Sequence, residues 1–259
     1  MFVCDGSKRK LKTLGSTADP SAGGAALISG ATVAFGWEVA TVHHRVTRAV
    51  EPVVLAGGAS TRFEDGEKAF ARVGGEPMLG RVLATVAAAT GRTPLVAVRD
   101  ERQRRAITAR VADSVPFELS FVTDDPAFGG PLSGAVAACD ATEAPWLFLT
   151  GCDMPLLDRE VVSWVIDHCD RGAADAIVPE AESGIEPLHA CYRPEAVAAA
   201  AERVGPDAGL RALLDAMAPV TVVDAAACPG DLTRSARNVN TVAELERVRA
   251  DGDATGGGG

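Results

Sequence analysis

Beyond residue 50 the chain alternates short apolar runs with stretches of helical periodicity, and that alternation leaves few folds open. Candidate strands lie at 53–56, 94–98, 118–122, 146–150, 175–178, 188–192 and 220–223. Several are unbroken apolar runs, as expected when both faces of a parallel strand are covered. Between them Leu79, Val82, Leu83, Val86 and Ala87 repeat at i, i+3, i+4, i+7 and i+8, with Pro77 suited to a first turn and Gly91 past the end. Leu210, Leu213, Leu214 and Met217 repeat likewise, and Thr241 with Glu244 forms a capping box for a last helix. The pattern predicts an α/β fold: a Rossmann-like, three-layer, open and mostly parallel sheet flanked by helices. Such sheets bind ligands at the carboxyl ends of their strands.

The first candidate strand runs into Leu55-Ala56-Gly57-Gly58-Ala59-Ser60-Thr61-Arg62 and reaches Lys68 six residues later. Without a Cβ, Gly57 and Gly58 let backbone N–H groups approach an anion, while Arg62 and Lys68 supply charge. The chain holds four lysines, Lys8, Lys10, Lys12 and Lys68, so past residue 12 this is the one basic position that is not arginine. Lysine is a compact point charge, suited to following a phosphate as its bonding changes. The spacing fits neither a Walker A loop nor a dinucleotide-binding G-x-G-x-x-G.

Trp146-Leu147-Phe148-Leu149-Thr150 is the plainest buried strand, and Asp153 follows it within three residues. That placement delivers a carboxylate to the sheet's edge, where magnesium takes one or two carboxylates beside phosphate oxygens and water. Phe121-Val122-Thr123 ends in two acids, Asp124 and Asp125, ahead of the glycine cluster 129–134 that opens a helix.

Four ordered motifs are then on hand: the glycine loop with Lys68, Gly130-Pro131-Leu132-Ser133-Gly134, Gly151-Cys152-Asp153-Met154-Pro155 and Asn238-Val239-Asn240-Thr241. Together they resemble nucleotidyltransferases that activate a phosphate or sugar phosphate with a nucleoside triphosphate, and most closely molybdenum cofactor guanylyltransferases of the MobA type. The resemblance spans 51–250. One departure is Glu64, two residues after Arg62, where the family usually has glycine; here glycine is delayed to Gly66.

The resemblance implies transfer of GMP from GTP to the terminal phosphate of molybdopterin, with release of pyrophosphate. Arg62 and Lys68 would steady the triphosphate, Asp153 would hold Mg2+, and backbone at Leu55, Ala56 and Gly57 would hold the nucleotide. One carboxylate can accept both N1–H and N2–H of guanine; Asp125 aligns best with that role, and Asp124 is the fallback. Asn238 and Asn240 would face the acceptor. Expected partners are GTP and molybdopterin, with molybdoenzymes or cofactor-delivery proteins beyond them, and the expected compartment is the cytoplasm. The alternatives are a cytidylyl or other nucleotidyl transfer to a different phosphorylated small molecule, and a catalytically silent nucleotide-binding adaptor. Ala56-Gly57-Gly58, where cytidylyl relatives tend to read Ala-Ala-Gly, favours guanine.

A net charge of −10 and a pI near 4.9 argue against nucleic-acid or anionic-membrane partners. Acid excess with scarce lysine fits a surface kept hydrated in concentrated salt, and a GC-rich coding sequence would favour arginine equally. The six cysteines form no C-x-x-C pair, which suits buried free thiols in a reducing cytosol. No zinc site is expected from His43, His44, His168 and His189, and His189 is read as a core residue without chemistry. Residues 1–50 do not fit the rest: they read as a poorly ordered extension or a start placed too far upstream, and their apolar stretch, broken by Gly30, Gly36 and Glu38, suits a signal peptide poorly. The expected division is therefore 1–50, a nucleotidyltransferase domain at 51–250, and a flexible glycine-rich tail at 251–259.

Overall fold

A computed structural model of the chain describes residues 50–58, 68–169, 172–181 and 184–255. The expectations for the first 49 residues, for Arg62 and its neighbours, and for the closing glycines lie outside them. Strands are β1 (Val50–Leu55), β2 (Arg72–Val73), β3 (Glu76–Pro77), β4 (Leu95–Val98), β5 (Ser120–Thr123), β6 (Trp146–Gly151), β7 (Ala176–Ala181), β8 (Gly184–Ile185), β9 (His189–Tyr192) and β10 (Val220–Asp224). Helices are α1 (Met78–Thr90), α2 (Glu101–Val111), α3 (Gly130–Asp140), α4 (Arg159–Ile166), α5 (Pro194–Ala201), α6 (Leu210–Asp215), α7 (Leu232–Ser235) and α8 (Val242–Thr255). All seven strands expected from the sequence are present. The last helix runs past 250, the expected end of the domain.

The main sheet has the order β10-β7-β9-β6-β1-β4-β5, with β8 attached to β7, while β2 and β3 form a separate hairpin. β1 pairs in parallel with β4 and β6, β4 with β5, and β7 with β10. Only β8 and β9 run against their neighbours, so the sheet is mostly parallel, as expected.

β6 shows why the sheet sits in the middle of three layers. All six of its residues are buried, and successive side chains enter opposite faces. Trp146 and Phe148 join a core with Leu79, Leu83, Val162 and Val165 from α1 and α4. Leu147 and Leu149 join the opposite core with Leu132, Val197 and Leu213 from α3, α5 and α6. Each such side chain, fully withdrawn from water, contributes about 1.5–3 kcal/mol before entropy is counted. Pro77 stands as the N-cap of α1, one residue earlier than its expected first turn. Gly91 ends α1 at φ 69°, a conformation that costs glycine nothing.

His189 lies fully buried on β9 opposite Thr150, its ring edge-on to Phe148 with centroids 5.7 Å apart. Neither ring nitrogen has a hydrogen-bond partner, and burial pushes its pKa from 6.5 down to about 4. The unfolded chain therefore takes up a proton below about pH 6.5 that the folded protein refuses until about pH 4. The stability present above the upper value is lost as pH falls through this window, by at most about 3 kcal/mol. His189→Phe should flatten the loss of urea resistance between about pH 6.5 and pH 5; an unchanged slope would show that the imidazole is not the source.

Candidate active site

The carboxyl ends of β1, β4, β5 and β6 lie side by side, and backbone hydrogen bonds continue between them after the strands end. Leu55 is in register with Gly151, and the amide of Cys152 donates to the Leu55 carbonyl at 3.1 Å. The Ala56 amide donates to the Ala97 carbonyl at 2.9 Å, and the Asp124 amide to the Val98 carbonyl at 2.8 Å. The first glycine motif, the aspartate motif and the first of the paired acids are thereby gathered around one open cleft.

Leu55, Ala56, Gly57, Lys68 and Asp153, all singled out from the sequence, line this cleft. Lys68 opens a 3-10 turn, Lys68–Phe70. Its Nζ lies 2.5 Å from Asp153 Oδ2 and 3.0 Å from Asn240 Oδ1. The side chains of this ion pair are only 18% and 15% exposed, so water screens it less than a surface pair. Asn240 is therefore beside the lysine. Its backbone is fixed by the expected capping box: Glu244 Oε2 accepts from the amides of Asn240 (2.7 Å) and Thr241 (2.9 Å), and Thr241 Oγ1 accepts from the Glu244 amide. Between the asparagines, the Val239 amide donates to the Asp153 carbonyl at 2.8 Å, which couples the two motifs directly. Asn238 Oδ1 is buried without a hydrogen-bond partner.

The two acids after β5 have different surroundings. Asp125, which aligned best with a base-reading role, turns its Oδ1 to the Ala127 amide at 2.7 Å in an Asx turn. Its carbonyl accepts from Ser133 Oγ at 2.7 Å, which ties it to α3. Asp124 is the one that lines the cleft. Its Oδ1 is buried without a partner, and burial raises its pKa while the Arg99 charge pulls the other way. Its carboxylate rests so closely on Gly57 that a Cβ there would collide with it, and it also approaches Gly134 of α3. The glycines thus serve close approach of a carboxylate as well as backbone freedom.

Gln103, Ala69 and Leu188 also line the cleft and were not singled out as site residues from the sequence. Gln103 of α2 is buried and reaches the Ala56 carbonyl with Nε2 at 2.8 Å. The signal was readable: Asp100-Glu101-Arg102-Gln103 has the spacing of a capping box, and Asp100 Oδ1 does accept from the Gln103 amide.

A hard carboxylate oxygen on Asp153, together with a cleft large enough for triphosphate oxygens, fits a divalent cation of the magnesium type. Among the described residues no group of three or more His, Cys, Asp or Glu could hold a metal by itself, so nucleotide oxygens and water would complete the shell. No helix among the described residues is long and apolar enough to cross a membrane.

Residues 52–221 match the model of the MobA-like NTP transferase domain. The chain is 33% identical over 199 residues to a probable molybdenum cofactor guanylyltransferase of Natronomonas pharaonis, covering 76% of this chain and 95% of the relative. It is 30% identical over 202 residues to one of Haloferax mediterranei, covering 76% and 91%. Its fold matches that of molybdopterin-guanine dinucleotide biosynthesis protein A from Archaeoglobus fulgidus with a TM-score of 0.66, at 22% identity, over 79% of this chain and 100% of that one. With a cleft at the strand ends, a family model matched over residues 52–221 and similarity over nearly the whole length of these two relatives, the chain belongs to the MobA-like nucleotidyltransferase family.

Proposed function

We propose that the protein is a magnesium-dependent molybdenum cofactor guanylyltransferase, which transfers GMP from GTP to the terminal phosphate of molybdopterin. The observation that carries this reading is the pairing of Lys68 with Asp153 beneath the glycine loop. A cation at Asp153 and a phosphate at Lys68 can replace that pair together, so neither buried charge is left alone.

In the reaction an oxygen of the molybdopterin phosphate attacks the α-phosphorus of GTP. The bond from that phosphorus to the bridging oxygen of the β-phosphate breaks, and pyrophosphate leaves with the electron pair. A phosphate monoester has its second pKa near about 6, so the attacking oxygen is already anionic near neutral pH and no protein base is required. Positioning and charge neutralisation then supply the acceleration. Asp153 would hold the magnesium ion, whose chemistry is to neutralise triphosphate charge. Lys68 would turn from Asp153 to the phosphates, with Arg62 assisting from the same loop. Asn240 would keep the lysine aligned, and Asn238 would face the acceptor.

For the base, the geometry favours Asp124 over Asp125. Asp124 lines the cleft while Asp125 closes an Asx turn, and a carboxylate there can accept the two donors that guanine offers on one edge, N1–H and N2–H. Backbone at Leu55, Ala56 and Gly57, against which the Asp124 carboxylate rests, would frame the nucleotide beside it.

The expected product is molybdopterin guanine dinucleotide, read by mass spectrometry after incubation with GTP, magnesium and molybdopterin. Asp153→Asn should lower kcat about 10²–10³-fold while GTP still binds; full turnover in that variant would point to an adaptor or to a different reacting centre. Asp124→Asn should weaken GTP binding and narrow the preference for GTP over ATP by about tenfold or more, whereas Asp125→Asn should leave that preference intact. The reverse result would restore Asp125 as the base reader.

A further inference from the structure

The glycine loop has to present N–H groups, not carbonyls, to an anionic ligand, yet glycine peptides rotate with little resistance. Gln103 bears on that choice. It is 2% exposed and lines the cleft together with Ala56, Gly57 and Gly58. Its Oε1 accepts from the Arg99 amide at 2.8 Å, one residue short of the amide that an ordinary capping box would reach. That displacement points Nε2 across to β1, where it donates to the Ala56 carbonyl, 47 positions earlier in the chain, at 2.8 Å. Arg99 continues the contact: its Nη1 donates to the Gly57 carbonyl at 3.3 Å. Two successive carbonyls of the loop's start are therefore held by the β4–α2 turn.

In a trans peptide the C=O and the following N–H point in opposite directions. Holding the carbonyls of Ala56 and Gly57 toward α2 turns the N–H groups of Gly57 and Gly58 the other way. Rotation of the first peptide would break the bond from Gln103, leave a buried carboxamide unsatisfied and set a carbonyl oxygen against the nucleotide. We infer that Gln103 is a positioning residue, which locks the peptide planes at the start of the glycine loop in the orientation that receives the nucleotide. The inference rests on the nucleotide-binding reading of the cleft.

Two substitutions test it, with GTP affinity measured by calorimetry in magnesium buffer, kcat by product formation and folding by thermal melting. Gln103→Met keeps the volume and removes both hydrogen bonds. It should weaken GTP binding about tenfold, with kcat at saturating GTP changed much less. Gln103→Glu keeps the acceptor for the Arg99 amide but sets a carboxylate against the Ala56 carbonyl. Its affinity should be poor near about pH 8 and recover as pH falls, because a protonated carboxyl donates where the carboxamide did. A purely structural role would lower the melting temperature without a pH-dependent recovery of affinity in the glutamate variant. Wild-type affinity in a folded methionine variant, or no recovery in the glutamate variant, would overturn the inference while wild-type turnover left the guanylyltransferase reading intact. Failure of the wild-type protein to bind GTP would overturn both.

Discussion

β1 and β6 pair in parallel over six consecutive positions, from Val50 opposite Trp146 to Leu55 opposite Gly151. Every residue of β6 is buried, so a slip of one position would exchange the side chains that face α1 and α4 with those that face α3 and α5. Both cores would be mispacked at once, which makes this register strongly determined. The site depends on it. Gly57 and Asp153 each stand two residues beyond the last matched pair, so the glycine loop and the acidic turn leave the sheet level with each other. The bond from Cys152 to Leu55 carries the match past the end of the sheet. On the proposed reading, the glycine loop and the Asp153 carboxylate would then face one ligand from adjacent strand ends.

Charge is handled locally. The whole chain carries a net charge of −10, so binding of an anionic ligand depends on donors gathered at the cleft. There the donors are backbone amides, the start of α3 and Lys68, with Asp153 already compensated by the lysine. On the proposed reading, a nucleotide arriving as a metal complex would bring a partner for each half of the ion pair. The asparagine motif ahead of α8 is joined to both halves, through Asn240 to Lys68 and through Val239 to Asp153. Whatever docks near that motif therefore presses on the same two charges.

Much of the fold was legible because burial leaves a plain trace. Strands covered on both faces read as apolar runs, and α1 and α6 as periodic ones. α2 was not anticipated: Glu101–Val111 is mostly arginine and other polar residues, and only Gln103, Ile107 and Val111 are buried. The antiparallel course of β9 left no trace either, since a fully buried strand looks the same in both directions. In the site, Asp153 was legible from its place just past a strand and Lys68 as the one lysine past residue 12, and the structure brings the two together. The choice between Asp124 and Asp125 was not, because one residue of rotation at a strand's end decides which carboxylate enters the cleft and which closes an Asx turn. The cap at Asp100 could be read from spacing alone, whereas the tie from Gln103 to Ala56 spans two strands and appears only once they pair.

The most direct measurement of the central claim is a competition. Equimolar GTP, CTP and ATP would be offered together with molybdopterin and magnesium, and the dinucleotide products separated by mass. The account predicts the guanine product almost alone, formed with one pyrophosphate for each molybdopterin consumed. A cytosine product, or consumption of GTP without any molybdopterin adduct, would contradict it.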